Sequence, residues 1–220
     1  MFKSKKTIIR VGVLAAAALV AFSASAAFAA SSYNVTAGSA PADTIIRYTA
    51  TSTQVTFKDT TAGTTWNCES ASATGTVTVG TNLSWTGIGT VDGTVWNTCT
   101  GGFGLTFTVT GSGTWGLNAT GSTNASGVTA VGISSMSVHV ASSSCSFDVT
   151  GTVNGTYTNG TSNGTLTLPG TSSGLTISNV SGSSCSFINI ANGHLASFKA
   201  TYSVVADTPA YNPIKITSNP

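Results

Sequence analysis

Ala196-Ser197-Phe198-Lys199-Ala200-Thr201-Tyr202-Ser203-Val204 alternates apolar and polar side chains without interruption. A period of two marks a strand with one face in a core and the other in water. Similar alternation runs through Phe103, Leu105, Phe107 and Val109 against Gly104, Thr106, Thr108 and Thr110. It recurs in Met136, Val138 and Val140 against Ser137 and His139, and in Cys145, Phe147 and Val149 against Ser146, Asp148 and Thr150. Each stretch reads as a half-buried antiparallel strand, the last with its sulfur toward the core. Between such stretches lie Asp92-Gly93, Asn154-Gly155, Asn159-Gly160 and Asn163-Gly164, dipeptides that accept positive φ in tight turns. Three Asn-Gly pairs so close together do not all make separate hairpins, so some belong to a longer loop. Beyond residue 30 Glu69, Gln54 and Met136 are the sole members of their types, and helix-favouring straight chains are scarce. The expectation is an all-β fold, an antiparallel β-sandwich or partly closed β-barrel of about a dozen short strands.

The N-terminus has a different composition. Lys3, Lys5, Lys6 and Arg10 precede the apolar run from Val11 to Phe22, which gives way to Ser25-Ala26-Ala27-Phe28-Ala29. A basic stretch, a short apolar stretch and a small-residue end form a secretory signal peptide, expected over residues 1–29. A single β domain is expected over 30–206. Pro209, Pro213 and Pro220 interrupt the remainder, so 207–220 reads as a Pro-containing C-terminal tail, a peripheral segment or an attachment to a partner.

Removal of the signal leaves four basic residues, Arg47, Lys58, Lys199 and Lys215, against Asp43, Asp59, Glu69, Asp92, Asp148 and Asp207, a formal net charge of −2. Four scattered cations make no electrostatic footprint for a phosphate backbone, which argues against nucleic acid. They also supply no basic amphipathic segment for anionic lipid, so no membrane partner is expected after cleavage. Charged residues are only 6% of the chain, and solubility must rest on hydroxyl and amide groups.

Cys68, Cys99, Cys145 and Cys185 in an exported chain are expected to form disulfides. Of three connectivities, Cys68 with Cys99 and Cys145 with Cys185 is favoured, because each pair closes a medium loop within a shared context. Zinc would call for Cys-x-x-Cys spacing or a nearby His, and neither is present, so no metal or other cofactor is expected.

Candidate chemistry is sparse. Gly170-Thr171-Ser172-Ser173-Gly174 has the Gly-x-Ser-x-Gly spacing of a serine nucleophile, but no helical pattern comes after it and Gly and Ser are abundant throughout. His139 falls on a hydroxyl-rich strand face and His194 comes just after Asn192-Gly193, so both are expected in solvent without the convergent partner of a general base. No carboxylate pair suggests glycoside hydrolysis. Asn34, Asn118, Asn154, Asn159, Asn163 and Asn179 begin Asn-x-Ser/Thr sequons that composition alone explains. No catalytic residue is assigned. Flat aromatic rings remain as binding groups, among Trp66, Trp85, Trp96, Trp115, Tyr33, Tyr48, Tyr157 and Tyr211. Trp66 and Trp96 flank cysteines and are expected to pack on a cystine. Trp85 and Trp115, in Gly-rich surroundings, are the expected exposed binding residues.

Trp66-Asn67-Cys68 recurs as Trp96-Asn97-Thr98-Cys99, and Ser143-Ser144-Cys145-Ser146-Phe147 recurs as Ser183-Ser184-Cys185-Ser186-Phe187. With the signal and the closing Ala196–Tyr202 strand, these segments resemble uncharacterised secreted β-proteins of actinobacteria. More distantly, the layout is similar to alkane-oxidation activator-like secreted proteins of Gram-negative bacteria. The resemblance covers most of the chain beyond the signal and carries over no functional residue. The expected role is non-catalytic, a secreted or cell-surface protein acting by surface interaction or self-assembly. A carbohydrate- or cell-wall-binding module is the alternative, and a pore-forming β-protein a further one.

Overall fold

In the computed structural model the described residues are 32–171 and 173–219. The expected signal peptide lies outside them.

Among the described residues, fourteen strands and one short helix succeed one another in chain order: β1 (Ser32–Ala37), β2 (Ile45–Ser52), β3 (Val55–Asp59), β4 (Thr65–Thr78), β5 (Gly80–Leu83), β6 (Gly89–Thr100), β7 (Thr106–Gly111), β8 (Trp115–Ala119), β9 (Val128–Ala141), β10 (Ser146–Thr158), β11 (Gly164–Pro169), β12 (Ser173–Ser181), α1 (Ser183–Phe187), β13 (Leu195–Ala206) and β14 (Ile214–Asn219). Eleven of these strands form one sheet that closes on itself, because β13 pairs with β2 and β3 on one side and with β11 and β12 on the other. The result is a closed eight-stranded barrel with additional strands, the barrel alternative of the two expected. Five positions around it are single long strands, β4, β6, β9, β10 and β13. The other three are two short strands laid end to end: β2 with β3, β7 with β8, and β11 with β12. All pairings among the described strands are antiparallel and each position is bonded to its neighbours in sequence, an up-and-down order.

The alternation read from sequence sets the barrel's two faces. Phe198, Ala200, Tyr202 and Val204 of β13 are buried while Ser203, Thr201 and Lys199 face outward and are exposed. β7 begins at Thr106, so only the Phe107 and Val109 half of its expected run is strand. The imperfect repeat is a pair of adjacent strands: Trp66 and Cys68 lie two apart on β4, whereas Trp96 and Cys99 lie three apart on β6, with Thr98 at φ 49° between them. The β4–β6 register is the same on both sides of Thr98, and it shifts instead between Thr74 and Gly75, where Asp92 is the extra residue on β6. Asn154-Gly155, expected as a turn, lies within β10, whereas Asn159-Gly160 and the Asn163 that precedes β11 belong to the β10–β11 connection.

Both disulfides are formed as expected, Cys68–Cys99 and Cys145–Cys185. Cys68 and Cys99 face each other across β4 and β6. Cys145 and Cys185 join the start of β10 to α1.

The opposite end is plugged by a second, three-stranded sheet in the order β14-β1-β5. Here the expected peripheral tail is corrected. Ile214 and Ile216 are buried and line a small interior cavity with Tyr48, Val77, Val91 and Leu117. Pro209 and Pro213 occupy the connection between β13 and β14 instead of ending the fold, and Asn212 bonds both the N–H and the C=O of Ala206 there. Beyond Pro213 the alternation Ile214-Lys215-Ile216-Thr217 resumes and pairs with β1. Side chains stitch the plug to the barrel. Asn159 accepts from the N–H of Ile216 and donates to its C=O, both at 2.8 Å, and Tyr157 Oη donates to Ile214 O at 2.9 Å.

Candidate functional site

Eight strands enclose a lumen just wide enough to be filled by side chains or to hold one small ligand. This lumen is filled. Its described cavities are about 30, 30 and 10 Å³, room for a water or two.

Aromatic rings pack against one another among the aliphatic side chains that fill it. Trp66 packs on Phe147 with centroids 5.3 Å apart and edge-on to Phe107 at 6.2 Å, while Trp96 lies 6.3 Å from Trp115 and 6.2 Å from Phe57. Trp66 is buried beside the Cys68–Cys99 cystine as expected, and Trp96 is partly buried against the same core. Trp115 is corrected: it is 5% exposed. Trp115, Leu117 and Ala119 are the inward set of β8, and Gly111, without a side chain, leaves room for the indole, whose Nε1 donates to Ser112 O at 2.9 Å. Tyr33, Tyr48 and Tyr157 are likewise buried, each donating its hydroxyl to a backbone carbonyl. Burial drives the Tyr48 and Tyr157 hydroxyls well above the ordinary tyrosine pKa, so they stay protonated. Tyr211 is half-buried.

Trp85 is different, with 55% of its surface exposed. It sits in the β5–β6 loop at the plugged end, and the loop is tied down. Ala119 N–H donates to Trp85 O at 2.9 Å, Gly87 N–H donates to Asn118 Oδ1 at 2.8 Å, and Ser84 Oγ and Thr86 Oγ1 bond at 3.1 Å. Asn118 is itself fixed by Ser134 Oγ at 2.9 Å. An indole on a pinned loop, beside two hydroxyls and a carboxamide, can stack on a flat apolar face while the polar groups hold its rim.

Both histidines have carboxylate partners that the sequence did not reveal. His139 Nδ1 lies 2.6 Å from Asp148 on the neighbouring strand, on the outer face as expected. Asp148 also accepts from Asn179 Nδ2 at 2.7 Å, and these bonds, Asn179 first, hold its carboxyl below the usual range. The expectation for His194 is corrected. Its side chain is only 20% exposed, and Nδ1 lies 2.7 Å from Asp59, which is wholly buried. Asp59 also accepts from the N–H groups of Thr61 and Ala62. The inward parity of Val55, Phe57 and Asp59 marks this acid as buried and in need of donors, but its partner lies far along the chain. The bond ties the β3–β4 turn to the start of β13.

The Gly170–Gly174 segment connects β11 to β12, strand to strand, and Ser172 lies outside the described residues. Among the described residues no three His, Cys, Asp or Glu side chains gather as a metal-ligand set. Compared with protein-family models, curated proteins and solved structures, the chain matches none.

Proposed function

We propose that the chain is an exported, non-catalytic protein that acts through its outer surface and binds a carbohydrate or cell-wall glycan at the Trp85 rim. The observation that carries this reading is the contrast between a filled lumen and one exposed indole on a pinned loop. With no deep pocket among the described residues, recognition falls to the exterior, which is rich in Thr, Ser and Asn groups that hydrogen-bond sugar hydroxyls as readily as water. Two disulfides and the expected signal support an oxidising, extracellular setting.

The other two readings have less support. Self-assembly by strand pairing needs open edges, and barrel closure leaves them chiefly on the short plug sheet. A pore needs apolar side chains facing lipid and a polar lumen, the reverse of this polarity.

The test is co-sedimentation of the purified protein with insoluble polysaccharides and bacterial cell walls, alongside a Trp85→Ala variant. Binding that falls at least about tenfold in the variant supports the rim. Equal binding by both proteins, or by neither, removes it.

A further inference from the structure

The largest described cavity is not in the barrel but on its wall, a groove of about 290 Å³ where β2 gives way to β3. Its origin is a slip in register. Thr51 pairs with Ser203 and Val55 with Ala200, four steps along one strand against three along the other. Thr53 and Gln54 therefore leave the ladder, and Ser52, buried, bonds its Oγ to Gln54 O at 2.8 Å to hold the bend. Ser52, Thr53, Gln54, Thr56, Lys199 and Thr201 line the groove, so hydroxyl, carboxamide and ammonium groups converge.

The charge there is unusual for this chain. Lys199 is opposite Thr56 and Lys58 opposite Ser197, which makes the two lysines diagonal neighbours on the outer face, about 7–8 Å apart at the backbone. They are half of the four cations beyond residue 30. Arg47 is occupied by Asp92 at 3.1 Å, but among the described residues neither Lys58 nor Lys199 has an ion-pair partner. Glu69, an exposed acid, is carried by β4 on the far side of β3. On the β11 side Gly170, with φ 73°, lies close against the base of Lys199, where a side chain would meet its Cβ at 2.9 Å.

We propose that this groove binds an acidic saccharide, with Lys199 and Lys58 taking the carboxylate of a uronic acid and the Thr, Ser and Gln groups taking its hydroxyls. Ammonium to carboxylate supplies charge-assisted bonds, and neutral polar groups suit a polyol. The site is separated from Trp85 by β4 and β6 around the barrel, so it does not depend on the rim.

The probe is an oligogalacturonate, compared by calorimetry with a neutral galactan oligomer of equal length. Wild type is expected to prefer the acid, more so at low salt. Lys199→Gln and Lys58→Gln are each expected to lower acid affinity about tenfold while leaving the neutral oligomer unaffected. Both changes are at exposed positions, and matched melting temperatures establish that the variants fold. Trp85→Ala is expected to keep the acid preference. If Lys58→Gln/Lys199→Gln binds the acid as wild type does, or wild type does not prefer it, the groove is not the site. Loss of acid preference only in Trp85→Ala places recognition at the rim and likewise overturns the groove.

Discussion

Ser143–Phe147 and Ser183–Phe187 are the same five residues, Ser-Ser-Cys-Ser-Phe, joined to each other through their cysteines, yet one leads into a strand and the other is a helix. Phe147 is 1% exposed and Phe187 70%. Equivalent serines meet: Ser144 Oγ donates to Ser184 Oγ at 2.7 Å, and Ser184 N–H to Ser144 O at 3.1 Å. The pentapeptide has no decisive preference, so its neighbours decide. Ahead of the first copy, Ser142 Oγ accepts from the N–H groups of Ser144 and Cys145 and forms a turn that delivers the chain to β10. Directly after that copy, Asp148-Val149-Thr150 alternates and finds β9 on one side and β12 on the other. Ahead of the second copy stands Gly182 at φ 104°, and directly after it comes Ile188-Asn189-Ile190, whose two isoleucines are buried. A single helical turn is too short to be stable alone. It persists because Cys185, Ile188 and Ile190 anchor it to the core.

Phe147→Ala should have the largest effect of any change in either copy. It removes a ring packed on Trp66 at 5.3 Å and should cost about 3–5 kcal/mol in urea unfolding, whereas Phe187→Ala should stay within about 0.5 kcal/mol. Similar losses from the two would show that the copies are not divided between core and surface. Next is removal of the bond between them. Cys145→Ser with Cys185→Ser opens a loop with sequence separation 40 and should cost about 3 kcal/mol. Hydrogen exchange should rise over 183–190 and stay slow over 146–158, since β10 keeps both ladders. Uniform loosening would mean that the bond supports both copies equally. Gly182→Ala should cost about 2 kcal/mol, because only glycine holds that φ cheaply and a Cβ would strike Ser144 O. Wild-type stability in this variant would remove Gly182 as the cause of the divergence.

The same contrast explains what could be read in the sequence. Strand parity was legible wherever β-branched and aromatic residues alternated, as in β13 and β10, and it placed Cys145 inward. The same parity links Trp115 with Leu117 and Ala119, and Ile214 with Ile216, but glycines around the one pair and prolines before the other masked it. Barrel closure was not legible, because a sandwich and a barrel share one alternation and differ only in whether β13 bonds on both sides. Bulges at Asp92 and at Thr53-Gln54 were equally hidden, since a slip of one residue leaves composition unchanged. The groove depends on such a slip, so no local pattern in the sequence marks it. The Asp59–His194 bond joins residues 135 apart, beyond any local signal.

The smallest effect tests the first position beyond the shared pentapeptide, Asp148 in one copy and Ile188 in the other. Bonds from Asn179 and then His139 lower the Asp148 pKa in the folded state. A carboxyl lowered in this way contributes stability that is fully present above its unfolded pKa, about 3.9, and is lost as pH falls through the folded value. The strand copy should therefore carry an acid-sensitive contribution that the helical copy lacks. Melting temperature tracked from pH 7 downward should be flat for this contribution until about pH 4 and then fall less steeply in Asp148→Asn than in wild type. Asp92, lowered chiefly by its bond to Arg47, acts in the same direction, so some acid slope should survive in the variant. Identical slopes in the two proteins would mean that the Asn179 and His139 bonds give Asp148 no net advantage over water, as holds for many exposed pairs. In that case the strand copy differs from the helical one only by its ladders and its buried ring.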